Sequence, residues 1–213
     1  MYGLEDPAEL ILKTPPSKSK FSINVMTKII ALHEKQLRIA AYDNSKMTYL
    51  NVGVKGLNSK LHPALQGIVT TQCVKKSRSH IKMLTQDLYT YEQKSRYQGG
   101  SPHCRLCIDS SQQVQYCENI THILTQCSKY SEVRNRILFQ MEIICLRAQS
   151  DINFKLIMSD KQQLSQFILD CTSLNLPNRI SEKDEICPSI FRLSRDLCHS
   201  ILKTRTDLIR KSK

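Results

Sequence analysis

Residues 103–127 read His-Cys-Arg-Leu-Cys-Ile-Asp-Ser-Ser-Gln-Gln-Val-Gln-Tyr-Cys-Glu-Asn-Ile-Thr-His-Ile-Leu-Thr-Gln-Cys, the densest run of metal-ligating side chains in the chain. Cys104 and Cys107 form a Cys-x-x-Cys turn, 14 residues separate Cys107 from His122, and Cys127 follows after four more. A tight Cys-x-x-Cys loop points both sulfurs to one side, and His122 with Cys127 completes a tetrahedral Cys₃His shell of the closed, structural Zn²⁺ type. The competing reading of Cys-x-x-Cys is a thioredoxin-like redox pair. That pair needs a βαβ context, which the flanking helical pattern does not supply. Two further ligand types lie close by, Cys117 with four residues between it and His122 and His103 beside Cys104, with Cys117 a distant fifth. Asn119 is a suitable N-cap for a short helix carrying His122. On an ideal helix Cys127 sits about 140° round from His122, so the helix has to unwind near Gln126 for both to bind. Ser128 is placed to cap the next helix and permit that break.

Outward from this segment the pattern is helical. Ser22 reads as the N-cap of a first helix running to about residue 42, with Met26, Ile29, Ile30, Leu37 and Ala41 as its stripe. A second helix is expected over about 64–89, entered through His62-Pro63, with Val74, Ile81, Leu84 and Leu88 inward. Leu50–Val54 alternates like a short strand, weakened by Gly53. After the Cys/His segment, helices are expected over 131–148 and 160–169. A last helix starts at Pro188, a good first-turn residue, and buries Ile190, Leu193, Leu197, Ile201 and Leu208. The expected fold is mainly α, with a small zinc-knuckle insert. The expected organisation is a loose tail at 1–20, a basic helical region at 21–98, the knuckle segment at 99–130, and a C-terminal helical region at 131–213. Cys73, Cys145, Cys171, Cys187 and Cys198 fall in or beside apolar helical pattern and read as small core residues.

Composition supports this picture. The 213 residues include only 6 Gly and 7 Pro, too few for a turn-rich sandwich or a disordered Pro/Gly tract. Nine Cys are below the density of a disulfide scaffold and odd in number, which favours metal binding or buried thiols in an intracellular, nuclear or cytoplasmic protein. The first residues lack the apolar core of a signal peptide, and no run is long enough to span a membrane. The 31 Lys and Arg against 19 Asp and Glu give a net charge of +12, a field that attracts polyanions. Lys75, Arg78 and Lys82 recur at i, i+3 and i+7 with Lys76 close by, which makes either a phosphate-binding ridge or an ordinary solvated helix face. No paired aspartates, phosphate-binding Gly-rich loop, Gly-x-Ser-x-Gly elbow or His-Glu-x-x-His helix is present, so no catalytic machinery is expected.

Cys104-Arg-Leu-Cys107, then Glu118-Asn-Ile-Thr-His122-Ile-Leu-Thr-Gln-Cys127 and Tyr130-Ser-Glu-Val-Arg134, resemble the reverse-transcriptase zinc-binding module. This module lies at the C-terminal end of non-LTR (jockey-like, LINE-type) retrotransposon polyproteins. The resemblance covers about residues 80–140. Family members usually carry Pro after the last Cys, where this chain has Ser128. It implies a C-terminal fragment of a retroelement protein that binds RNA or DNA. The polymerase and endonuclease motifs are not in the sequence, so those activities do not carry over. The nucleic-acid contacts expected on this reading are Lys75, Lys76, Arg78, Lys82, Lys94, Arg96 and Arg105. The alternatives are a cellular zinc-stabilised helical scaffold for protein partners and an enzyme of unrecognised type.

Overall fold

The computed structural model describes residues 17–43, 47–50, 65, 68–107, 115–147, 154–173 and 180–211. The expected extended run 51–54, the His62-Pro63 turn and most of the N-terminal tail lie outside them. The chain is mainly α, with no strand among the described residues. It divides into two compact units, Met1–Ser45 and Lys46–Lys213.

The first unit holds helix α1, Lys18–Asp43. It starts five residues earlier than the Ser22 cap predicts, because Ser17 takes the capping role. The Lys20 amide donates to Ser17 Oγ at 3.4 Å, and the Phe21 amide donates to its carbonyl at 2.9 Å. Met26, expected inward, is exposed, whereas Ile29 is half-buried.

In the second unit, helix α2 spans Thr71–Leu84, capped by Thr70, whose Oγ1 accepts from the Cys73 amide. The long helix expected over 64–89 ends early for a local reason. Thr85 Oγ1 bonds back to the Ile81 carbonyl at 2.9 Å, and Gln86 adopts a left-handed φ of 50°. Gln93 Nε2 then holds the Gln86 carbonyl at 2.9 Å, and Thr90 caps a new helix, α3, Tyr91–Gln98. The apolar period runs through this break and hides it. The inward face is also rotated: Ser77, His80, Met83 and Leu84 are buried, while Val74 is 53% exposed.

Helix α4 spans Ser131–Arg147, as its Ile137, Met141 and Cys145 stripe predicts. A short helix that the periodicity did not show, α5 (Phe154–Ser159), leads into α6 (Lys161–Leu169). Asp160 caps α6 through Oδ1, accepting from the Gln162 and Gln163 amides. The longest element, α7 (Ile180–Lys211), runs through Pro188 instead of starting there. Pro188 costs one intrahelical bond, and the apolar stripe around it holds the helix together. Ile186, Ile190, Phe191, Leu197 and Ile201 are all buried. Each such side chain contributes roughly 1.5–3 kcal/mol, and α7 spends this burial against α2, α4 and α6. Cys145, Cys171, Cys187 and Cys198 are core residues, and Cys73 is half-buried. No helix among the described residues is long and apolar enough to cross a membrane.

His80 sits fully buried between α2 and α7, its ring edge-on to Phe191 at 5.9 Å. Burial pushes its pKa down to about 4; the Leu169 carbonyl and the Asp170 carboxylate oppose this, and Arg195 adds to it. Below its ordinary value of about 6.5 the unfolded chain takes up this proton and the folded chain does not. Stability therefore falls as pH drops from about 6.5 to about 4, by on the order of 3 kcal/mol. Urea unfolding of the protein and of His80→Phe across that range should show a pH dependence that is smaller in the variant. Equal slopes would show that His80 titrates normally in the fold.

Candidate metal centre

Three backbone devices build the centre. Helix α3 ends at Gly99, and Gly99 and Gly100 have φ of 74° and 98°, a left-handed turn that other residues resist. The chain then pairs antiparallel with a second segment through the His103–Cys117 bridge. The Cys104 amide donates to the Tyr116 carbonyl at 2.8 Å, and the Glu118 amide to the Pro102 carbonyl at 2.8 Å. This pairing presents the Cys104–Cys107 turn.

The third device resolves the five-residue spacing. Asn119 Oδ1 accepts from the His122 amide at 2.8 Å, as its capping role predicts. From His122 to Gln126 the helix widens into a π-turn, closed by the Cys127 amide donating to the His122 carbonyl at 2.9 Å. The wider turn brings residues five apart toward one side, which an α-helix cannot do. The expected unwinding thus happens, over the whole turn and not at Gln126 alone. The break before α4 is a 3₁₀ turn, Ser128–Tyr130, with the Ser128 carbonyl accepting from Ser131 Oγ at 2.8 Å.

The result is a cluster in which one ligand atom each from Cys104, Cys107, His122 and Cys127 lie within 4.8 Å of one another. Cys107 Sγ is 3.2 Å from Cys127 Sγ and 3.4 Å from His122 Nε2. Ligands 2.3 Å from a tetrahedral ion lie about 3.8 Å apart, so the set is close to coordination spacing and could hold a metal ion. Cys104, His122 and Cys127 are buried and Cys107 is half-buried. Cys127, acting as a donor, pulls the Cys104 thiol well below its ordinary pKa, with burial opposing and His122 helping. Cys127 is pushed up in return. One thiolate is thus already favoured. Cys117 and His103 face each other across the bridge and stand outside this cluster.

Around the ligands is a shell of polar residues to which the sequence assigns no role. Arg134, buried, donates from Nη1 to the Cys127 carbonyl at 3.1 Å. Burial lowers its pKa, and the nearby Cys127 and Cys107 sulfurs oppose this. Glu118 is fully buried; its Oε1 accepts from the Tyr91 amide at 3.1 Å and from Arg205 of α7 at 2.7 Å. Arg205 also donates to the Tyr89 carbonyl at 3.2 Å. An acid 87 positions away from its partner leaves no local pattern to read.

The expected nucleic-acid contacts fall into two groups. Lys75, Arg78, Lys94 and Arg105 are exposed, and Lys82 is half-buried. Lys76 is held by Asp196 of α7 at 2.8 Å, and Arg96 pairs with Glu92 one turn back. Arg105 has its guanidinium 5.1 Å from the centre of the Tyr91 ring, within cation–π range. No protein-family model, curated protein or solved structure matches the chain.

Cys104→Ser should abolish metal binding, and Cys117→Ser should leave one ion per chain by elemental analysis. Metal kept by the first variant, or lost only in the second, would place the shell elsewhere.

Proposed function

We propose that this chain is a non-catalytic, zinc-stabilised nucleic-acid-binding module, the C-terminal part of a retrotransposon reverse-transcriptase polyprotein, with RNA or DNA as partner. The observation that carries this reading is a Cys₃His cluster in a chain of net charge +12, with exposed cations on α2, on α3 and in the Cys-x-x-Cys turn. Three thiolates and an imidazole at tetrahedral spacing suit Zn²⁺, and four protein ligands leave no position for an activated water. The metal's role is then structural: it fixes the turn that carries Arg105. Phosphate contacts neutralise backbone charge and release counterions, so affinity falls with salt. Lys75, Arg78 and Lys82 are the ridge residues with no carboxylate partner among the described residues, and Lys76, tied to Asp196, contributes less.

A scaffold for protein partners has one observation in its favour. A groove of about 340 Å³ between α4 and α5 is lined by Leu138, Phe139, Phe154 and Met158, with Phe139 61% exposed. Salt dependence separates the two readings.

Converting Lys75, Arg78 and Lys82 together to Gln should weaken binding to RNA and DNA of any sequence alike. The slope of log affinity against log salt should become shallower by up to three contacts, roughly 0.7–0.9 each. An unchanged slope returns the ridge to a solvated face. Absence of binding to any nucleic acid would contradict the proposal and favour the scaffold.

A further inference from the structure

Tyr116 stands one residue before the bridge, and its carbonyl holds the amide of the ligand Cys104. Its ring lies nearly parallel to the His122 imidazole, with centroids 5.4 Å apart and planes at 21°. This is an offset stack of ordinary separation, yet the residue remains 42% exposed. An exposed tyrosine alone is unremarkable on a protein surface. Here the ring is set against a metal-cluster residue and anchored at its backbone to the Cys-x-x-Cys turn, so its plane is fixed before any ligand arrives.

Cations flank it. Arg105 follows Cys104 directly and is exposed, with its guanidinium held at the Tyr91 ring. Arg96 belongs to α3, whose Glu92 amide donates at 3.3 Å to the carbonyl of Glu118, two residues from Tyr116. The thiol of Cys117, next to Tyr116, is raised in pKa by burial and by Glu92, and Arg96 opposes that shift. The pair between Arg96 and Glu92 is exposed, and such pairs are worth about 0–1 kcal/mol, so a phosphate can displace it.

A preset, half-exposed aromatic plane with cations on the neighbouring segments suits an unpaired base, because every base has a π-face and its neighbouring phosphates need charge. A base within a duplex is already stacked and cannot reach the ring. We infer that the knuckle binds single-stranded nucleic acid, one base stacking on Tyr116 and the adjoining phosphates meeting Arg105 and Arg96. This rests on the nucleic-acid reading above and narrows it from any polyanion to unpaired strands.

The test uses the full chain loaded with zinc and a fluorescent RNA of about 15 nucleotides, the DNA of the same sequence, and each annealed to its complement. Single strands should bind more tightly than duplexes. Tyr116→Leu should weaken single-strand binding roughly 5- to 100-fold, leaving duplex affinity, the salt slope and the zinc content as they were. Tyr116→Phe should restore it. In the unaltered protein, RNA carrying thiouridine should crosslink at Tyr116, a readout that requires no variant to fold. Equal affinity for single strands and duplexes, with no effect of Tyr116→Leu and crosslinks elsewhere, would overturn the inference and leave the nucleic-acid reading standing. Failure of every probe to bind would remove that reading itself.

Discussion

Three thiols and an imidazole gathered within 4.8 Å, most of them buried, are the constraint on which the central part of this protein depends. Packed without a cation, such a set has little reason to converge, since sulfurs attract one another weakly and a buried thiolate costs free energy. With a divalent ion, three thiolates leave one net negative charge, and Arg134 is placed to meet it, bonded to the Cys127 carbonyl and near two of the sulfurs. The π-turn, the bridge and the glycine pair all serve to bring the ligands into register.

The centre is also tied to the helices around it. Glu118, between the bridge and the ligand His122, draws Arg205 of α7 and the first amide of α3 onto a single carboxylate oxygen. Removing one member of such a buried pair typically costs 3–5 kcal/mol, because the other charge is left stranded. Tyr91, whose amide Glu118 holds, has both Arg105 and Arg205 at its ring, at 5.1 and 5.8 Å. The turn bearing the exposed Arg105 is therefore braced from two directions, by the ligand cluster and by the end of the longest helix.

Much of this was legible in the sequence, and the part that was not has a physical pattern. Ligand spacing picked out Cys104, Cys107, His122 and Cys127, since coordination is a local geometric demand. The spans of α4 and α6 agree with the sequence pattern because burial there follows the helical period. The second helix is shorter than its apolar spacing, which continues through residues 85–90, where threonine side chains and the left-handed Gln86 break the backbone. Pro188 reads as a start by local rule, whereas tertiary packing carries α7 through it. Glu118–Arg205 and Lys76–Asp196 join residues far apart in sequence, so no local signal announces them. Tyr116 is likewise unremarkable until its ring is seen on His122.

The most direct measurement follows amide hydrogen exchange of the zinc-loaded chain before and after chelation, alongside the helical circular dichroism signal. The stripes of α2, α4 and α7 bury their own apolar faces, so metal should supply a local share of stability here, unlike in small zinc fingers. On chelation, protection should collapse across residues 102–107 and 115–130 and loosen in the last turns of α7 around Arg205. Protection in α7 from Ile190 to Ile201 and most of the helical signal should persist. Simultaneous loss of all helical signal would make the metal the organiser of the entire fold. Unchanged protection at Cys104, His122 and Cys127 would show that no metal holds the cluster together.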